Sequence, residues 1–194
     1  VRIADLLKDE LDCVKVGYPL ILASGLDVVR RLSKMTPVIA DLKVADIPNT
    51  NRLICEQVLA AGASGIIAHA FTGRDSLEAC IEAARSAGAE AYVVTEMSHP
   101  GAVEFMAPQA EKMAALAVDA GADGVVAPGT RPDRIRLIRS IVGNLTIISP
   151  GVGAQGGSAR EALNAGADHL IVGRSIYESK DPKDALDRIR VEIG

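Results

Sequence analysis

The sequence predicts an α/β protein of the (β/α)8 TIM-barrel class, on three observations. Short runs of Val, Ile and Ala recur at intervals of roughly 22 to 33 residues. Amphipathic stretches fill the intervals, and the tripeptide Ala-Gly-Ala closes four of them, at 61, 87, 120 and 165. The apolar runs lie at 14–16, 38–40, 65–67, 91–94, 124–126, 146–148 and 169–172. Continuous rather than alternating apolar runs mark strands buried on both faces, as in a parallel sheet covered by helices. Glycine in each Ala-Gly-Ala suits the left-handed residue that ends a helix before the next strand, so the tripeptide supports a repeated architecture. An open doubly wound sheet usually has fewer strands and one topological switch point; seven strand-helix units favour a barrel.

Taken in order, the chain opens on VRIADLLKDEL, with apolar side chains at 1, 3, 6, 7 and 11, which predicts a helix over 1–11 with one face inward. A barrel begins with a strand, and one short of a strand leaves two edges unpaired. The expectation is therefore one (β/α)8-barrel domain over 1–194 that lacks its N-terminal strand. Later helices carry their own start signals, Asp181-Pro182 before DALDRIRVEI and Thr130 two residues ahead of Pro132.

Composition narrows the function classes. The 194 residues are 48% hydrophobic and 24% charged, enough for one well-filled core. Twenty-five acidic and twenty-one basic residues leave a net charge of −4 with no Lys/Arg block, which disfavours an extended nucleic-acid or anionic-membrane surface. No apolar run approaches the ~18 residues that span a bilayer, and the start lacks the basic-then-apolar layout of a signal peptide, so a cytoplasmic location is expected. Cys13, Cys55 and Cys80 show no C-x-x-C spacing; they read as core or helix-face thiols rather than a disulfide framework or a zinc site. With aromatics at 3%, the core must be built from Val, Ile, Leu and Ala.

In a barrel the site lies at the C-terminal strand ends, here 15–18, 41–46, 69–71, 96–101, 128–131, 150–157 and 173–175. The stretch DLKVADIPNT at 41–50 sets Asp41, Lys43 and Asp46 directly after an apolar strand. Unpaired ions in an interior cost several kcal/mol, roughly, so the stretch is either a ring of salt bridges or the working end of a site. Residues two apart on a strand share a side, which predicts that Asp41 and Lys43 face the mouth together, with Lys15 at a comparable level next door and Asp46 in the loop beyond. The expected constellation alternates two ammoniums with two carboxylates. Across the mouth, Ser149-Pro150-Gly151-Val152-Gly153-Ala154-Gln155-Gly156-Gly157 and Val172-Gly173-Arg174-Ser175 follow the last two strands. Those two loops frequently hold phosphate in this fold, glycine exposing backbone N–H groups and Arg supplying a fork. A phosphorylated small molecule reacting near Asp41 and Lys43 is the expected substrate. No metal-ligand spacing or dinucleotide fingerprint is present, and the site is expected to work without a cofactor. His69 and His99, at strand ends, are expected to support the site by hydrogen bonding, and His169, opening a strand at the other end, to be structural.

These segments resemble the orotidine 5′-phosphate decarboxylase family in its short archaeal form. The likeness is carried by Lys15-Val-Gly-Tyr-Pro-Leu, by Asp41-x-Lys43-x-x-Asp46-Ile-Pro-x-Thr50, and by Thr95-Glu-Met-Ser98-His-Pro-Gly. Ser149-Pro-Gly-Val-Gly-Ala-Gln155-Gly-Gly and Val172-Gly-Arg174-Ser-Ile-Tyr177 complete it, in the family's order along the whole chain. The resemblance implies a homodimer that converts orotidine 5′-monophosphate to UMP in de novo pyrimidine synthesis, without metal or organic cofactor. It implies Lys43 as proton donor to pyrimidine C6 and Asp41 against the departing carboxylate. Lys15 and Asp46 would complete the charged network and touch the ribose, Asp46 and Thr50 reaching the neighbouring subunit's site. Ser98 would read the pyrimidine, and the loop of Pro150, Gly151, Val152 and Gly153 would close on substrate. Gln155, Gly173 and Arg174 would hold the phosphate. The family's first strand ends in an aspartate that contacts the ribose, and it has no counterpart within 1–194.

Two other readings stay open. A Mg2+-dependent sugar-phosphate decarboxylase or aldolase of the same superfamily shares Asp-x-Lys-x-x-Asp. Those relatives, however, carry Glu at the position of Lys15 and a His-Arg pair where this chain has Pro128-Gly129-Thr130-Arg131. The second is a catalytically silent nucleotide-binding barrel.

Overall fold

A computed structural model describes residues 1–194, which fall into two compact units. The first comprises Val1–Val93 with Ala120–Asp123, the second Val94–Asp119 with Gly124–Gly194.

In the first unit, α1 (Arg2–Leu7) and a 3-10 turn precede β1 (Val14–Gly17), α2 (Tyr18–Ser24) and α3 (Asp27–Leu32). Then come β2 (Val38–Val44), α4 (Pro48–Ala60), β3 (Gly65–His69), α5 (Arg74–Ser86) and β4 (Glu90–Val94), whose last residue opens the second unit. The strands run in sequence order, and β1, β2 and β3 pair in parallel. Burial on both faces is evident in β3, where Ile66, Ile67 and Ala68 are all interior. The opening helix is shorter than its apolar pattern predicts: the chain tightens into the 3-10 turn Lys8–Glu10, and Ala4 and Leu7 turn inward while Leu6 faces water.

In the second unit, α6 (Ala102–Phe105) and α7 (Ala110–Asp119) precede β5 (Gly124–Val126), α8 (Pro132–Val142) and β6 (Thr146–Pro150). α9 (Ala159–Asn164), β7 (His169–Ile171), α10 (Arg174–Tyr177) and α11 (Pro182–Ile193) follow. β5, β6 and β7 again pair in parallel and in order. Asp168 ties the entrance of β7 to its neighbours: its carboxylate accepts the Ile147 N–H at 2.7 Å and the Arg139 guanidinium. Ile135 and Ile138 of α8 are fully buried.

All seven strands coincide with the apolar runs to within a few residues. The glycines of the four Ala-Gly-Ala turns, Gly62, Gly88, Gly121 and Gly166, all have positive φ, which is why each turn requires one. Asp181 caps α11 by accepting the N–H groups of Lys183 and Asp184, as its place before Pro182 predicts. Thr130 is not a cap: Arg131 occupies that position on α8, and the Thr130 hydroxyl donates instead to Ser98 O at 3.0 Å.

Leu77 on α5 is 0% exposed, among the largest side chains of the first unit's core. Leu77→Ala is expected to lower unfolding free energy by ~2–5 kcal/mol in urea titration, the cost of lost transfer energy plus a cavity.

Candidate active site

The first unit gathers three of the predicted charges. Asp41, 7% exposed, accepts from Lys15 Nζ through Oδ2 and from Lys43 Nζ through Oδ1, each at 2.8 Å. Burial alone would push the Asp41 carboxyl upward; the ammoniums of Lys15 and Lys43 overcome that and hold it below the ordinary carboxylate range. Two ammoniums against one carboxylate leave the cluster with a surplus positive charge. Lys15 and Lys43 keep 27% and 34% of their side-chain surface exposed, so that charge is accessible rather than sealed in.

Asp41 and Lys43 meet at an irregular stretch of β2. β2 pairs with β3 at Ala40↔Ile66 and again at Val44↔Ala68, so β2 carries extra residues between two points of contact. That bulge is taken up at Lys43, whose φ of 44° makes it the one non-glycine residue with positive φ. A left-handed L-residue costs ~1–2 kcal/mol, and here it is borne by the residue whose ammonium pairs with Asp41.

Asp46 stands apart from this trio. It is exposed, its Oδ1 accepts the Ile47 N–H at 2.7 Å, and its backbone is clamped by α4 and α5. Asn51 Oδ1 accepts the Asp46 N–H at 2.8 Å, and Ser76 Oγ donates to Asp46 O at 2.7 Å. The expected alternation of four ions is thus a trio plus a loop carboxylate facing outward. Thr50, half-buried, lies in the first turn of α4 beside it. His69 ends β3 with its ring edge-on to Phe71 and a buried Nδ1 that lacks a hydrogen-bond partner. Burial first, and the Lys43 ammonium second, push its imidazole below the ordinary value and keep it neutral at pH 7.

The second unit contains a cleft of about 500 Å3 lined by Ser98, His99, Thr130, Arg131, Gln155 and Arg174 among others. Ser98 Oγ donates to Gln155 Oε1 at 2.8 Å. The loop of Pro150, Gly151, Val152 and Gly153 is folded tightly, not slack. A Cβ on Gly151, at φ 104°, would sit 2.9 Å from Thr130 Cγ2 and 3.0 Å from Ser98 Cβ. One on Gly157 would meet Gly129 O at 2.6 Å, so close backbone approach explains these glycines. Val152 is buried beneath the loop, Ser175 Oγ accepts the Ala154 N–H at 2.9 Å, and Gly173 precedes Arg174 at the start of α10. His169 lies at the entrance of β7, away from this strand end.

A buried ion network holds the cleft's wall. Glu96, 0% exposed, accepts from Arg131 Nε at 3.0 Å and from Arg134 Nε at 2.6 Å. Arg131 also donates to the carbonyls of Met97 and Ser98, and Arg134 to Ala107 O at 3.0 Å. The strand-end segment carrying Ser98 is therefore fixed by charge-assisted bonds.

A profile of the "Orotidine 5'-phosphate decarboxylase / HUMPS family" matches residues 1–189. The chain belongs to this family. Relatives named orotidine 5′-phosphate decarboxylase include one from Methanococcoides burtonii, 61% identical over all of this chain and 91% of its own length. Another, from Methanosarcina mazei, is 60% identical over all of this chain and 88% of its own. The crystal structure of orotidine 5′-monophosphate decarboxylase from Methanocaldococcus jannaschii complexed with inhibitor BMP superposes with a TM-score of 0.94 at 43% identity. It is covered to 91% by this chain, which it matches throughout. With seven parallel strands and helices between them, the fold class is the TIM barrel of this decarboxylase family.

The Glu96–Arg131–Arg134 network and the Thr130 bond to Ser98 were not legible as parts of one wall. The sequence places Glu96 and Arg131 at strand ends, and an acidic residue directly after the buried run 91–94 was the available signal. Their pairing depends on which strand ends become neighbours.

Two outcomes are expected from the ion trio. The folded Asp41 carboxyl lies below its ordinary 3.8, so its stabilisation is complete above that value and lost as pH falls through the lower folded one. The gap in urea-unfolding free energy between wild type and Asp41→Asn should therefore hold steady from pH 7 to about 5 and narrow below about 4; a gap independent of pH would contradict this. Lys43→Gly should be at least as stable as Lys43→Ala, reversing the usual ~0.5–1 kcal/mol glycine penalty, because glycine accepts the positive φ.

Proposed function

We propose that the chain removes CO2 from orotidine 5′-monophosphate to give UMP, in de novo pyrimidine nucleotide synthesis. One observation carries the reading: a buried aspartate with both oxygens taken by ammoniums and a surplus positive charge facing outward, in a chain 61% identical to a protein of that name. Cleavage of the bond between C6 and the carboxylate leaves its electron pair on C6, where no cofactor delocalises it. An ammonium already in place stabilises that charge as it develops, at little reorganisation cost, and does so more in the transition state than in the ground state. Lys43 then gives a proton to C6. Asp41 stands against the substrate carboxylate and orients both ammoniums.

The remaining roles follow the same reading. Lys15 and Asp46 touch the ribose, Ser98 reads the pyrimidine ring, and Gln155, Gly173 and Arg174 hold the phosphate under the loop of Pro150, Gly151, Val152 and Gly153. Phosphate binding, remote from the reacting carbon, supplies energy for closing that loop. Residues 1–194 act as one barrel domain, contributing seven of the eight strands of a (β/α)8 fold. The active form is a homodimer in the cytoplasm, with Asp46 and Thr50 offered to the neighbouring subunit. The exposed Asp46 carboxylate and the exposed apolar Ile47 and Leu53 beside it support this arrangement. No helix is long and apolar enough to cross a membrane.

The reaction proceeds without a metal or organic cofactor. A Mg2+-dependent sugar-phosphate reaction would need carboxylate oxygens free to ligate, whereas both oxygens of Asp41 are engaged by ammoniums and Lys15 offers no ligand.

Loss of orotidine 5′-monophosphate absorbance is the direct test. Wild type should turn over with and without EDTA, and Lys43→Ala should lose at least ~10³-fold in kcat, the scale of deleting one preorganised electrostatic partner. Arg174→Ala should act mainly on KM. Nucleotide binding without turnover in wild type would favour the silent barrel, and loss of turnover with EDTA the Mg2+ reading.

A further inference from the structure

α4 and α5 each follow a strand of one parallel pair, so the two helices run in the same direction. Their first turns are joined by Asn51, fully buried, whose Nδ2 donates to Ser76 Oγ at 2.7 Å and to Ser76 O at 3.0 Å. In parallel helices a step of four residues on each advances the facing pair by about one turn. From Asn51 and Ser76 that step reaches Cys55 and Cys80, two residues separated in the chain by the same 25 positions as Asn51 and Ser76. Both cysteines are 0% exposed, and each thiol's titration is governed first by the other. Ala79 and Ala83 on α5 and Ala60 on α4 line the neighbouring groove, small side chains that let the two backbones approach.

We propose that Cys55 and Cys80 form a latent disulfide site, closed across α4 and α5 by exchange with a small-molecule disulfide. The Cys55 thiolate attacks one sulfur of the small disulfide, breaking its S–S bond and releasing one thiol. The Cys80 thiolate then attacks Cys55 Sγ in the mixed disulfide, forming the Cys55–Cys80 bond and releasing the second thiol. Two protein thiols lose two electrons and two protons, and the small disulfide takes up both. The two sulfurs are interchangeable in this scheme, since both are equally shielded in the closed helix pair. Because both sulfurs are shielded, exchange waits on local separation of the two helices.

The bond would lie one turn behind the clamp on Asp46. Asn51 and Ser76, which hold that backbone, belong to the same two helices, so the redox state of the cysteine pair is coupled to the stiffness of the Asp46 loop, which on the proposed function touches substrate.

The test is incubation of the whole chain with oxidised glutathione, followed by alkylation in denaturant, thiol counting and peptide mapping. Incubation continues until amides of α4 and α5 have exchanged with solvent deuterium, so that the required opening has occurred. Wild type is expected to fall from three free thiols to one, the survivor being Cys13, with a Cys55–Cys80 cross-linked peptide. Its Tm should rise by roughly 5–10 °C and return on treatment with dithiothreitol. Cys13→Ala should lose both its thiols, and Cys80→Ala should form no intramolecular bond. Three thiols persisting after amide exchange, or a link through Cys13, would overturn the proposal. Should Cys80→Ala fail to fold, the wild-type peptide map decides alone.

Discussion

A carboxylate almost wholly withdrawn from water, with an ammonium on each oxygen, is the constraint on which the first unit's chemistry depends. Uncompensated, Asp41 would cost several kcal/mol, roughly, to bury; paired with one lysine it would neutralise the cluster. Paired with two, it becomes a rigid support that fixes both cations and leaves their surplus charge directed outward. The backbone bears the strain of this arrangement at Lys43, whose φ is positive within the irregular stretch of β2 and whose ammonium reaches Asp41. The strain sits on the residue whose position matters most to the proposed proton transfer, as expected when surrounding packing over-determines a conformation. Removing either partner changes more than one charge, since the remaining groups lose the geometry that made their burial tolerable.

The second unit places a carboxylate between two cations as well, with a different result. Glu96 is completely enclosed, and Arg131 and Arg134 spend their remaining donors on the carbonyls of Met97, Ser98 and Ala107. That network faces the interior and holds the wall of a cleft, whereas the Asp41 trio presents its lysines. Exposure of the cations separates a working cluster from a supporting one. The glycines of the loop after β6 belong to the supporting side too: Gly151 and Gly157 are small because neighbouring atoms leave no room for a Cβ.

Within the first unit, α4 and α5 act as a paired frame. Asn51 and Ser76 connect their first turns to the backbone of Asp46, and the two cysteines continue the same interface a turn further on. A polar clamp at the mouth and sulfur chemistry behind it share one helix pair, which makes the interface both a stability element and a place where the loop's freedom is set.

The sequence alone determined the order and position of the seven strands, the left-handed glycines of Ala-Gly-Ala, the Asp181 cap and the strand ends at which chemistry gathers. These follow from local rules: apolar periodicity, the glycine that ends a helix, and a carboxylate before Pro182. Tertiary structure decided that Asp41 takes two lysines while Asp46 turns away, that Thr130 serves Ser98 rather than a helix start, and that Glu96 meets two arginines. It also decided that Cys55 faces Cys80. Each of those outcomes depends on register between segments far apart in the chain, and a bulge of a few residues is enough to change which side chains meet. Residue type marks where ions and thiols stand along a strand or helix; their partners are set by which neighbouring strand or helix packs beside them.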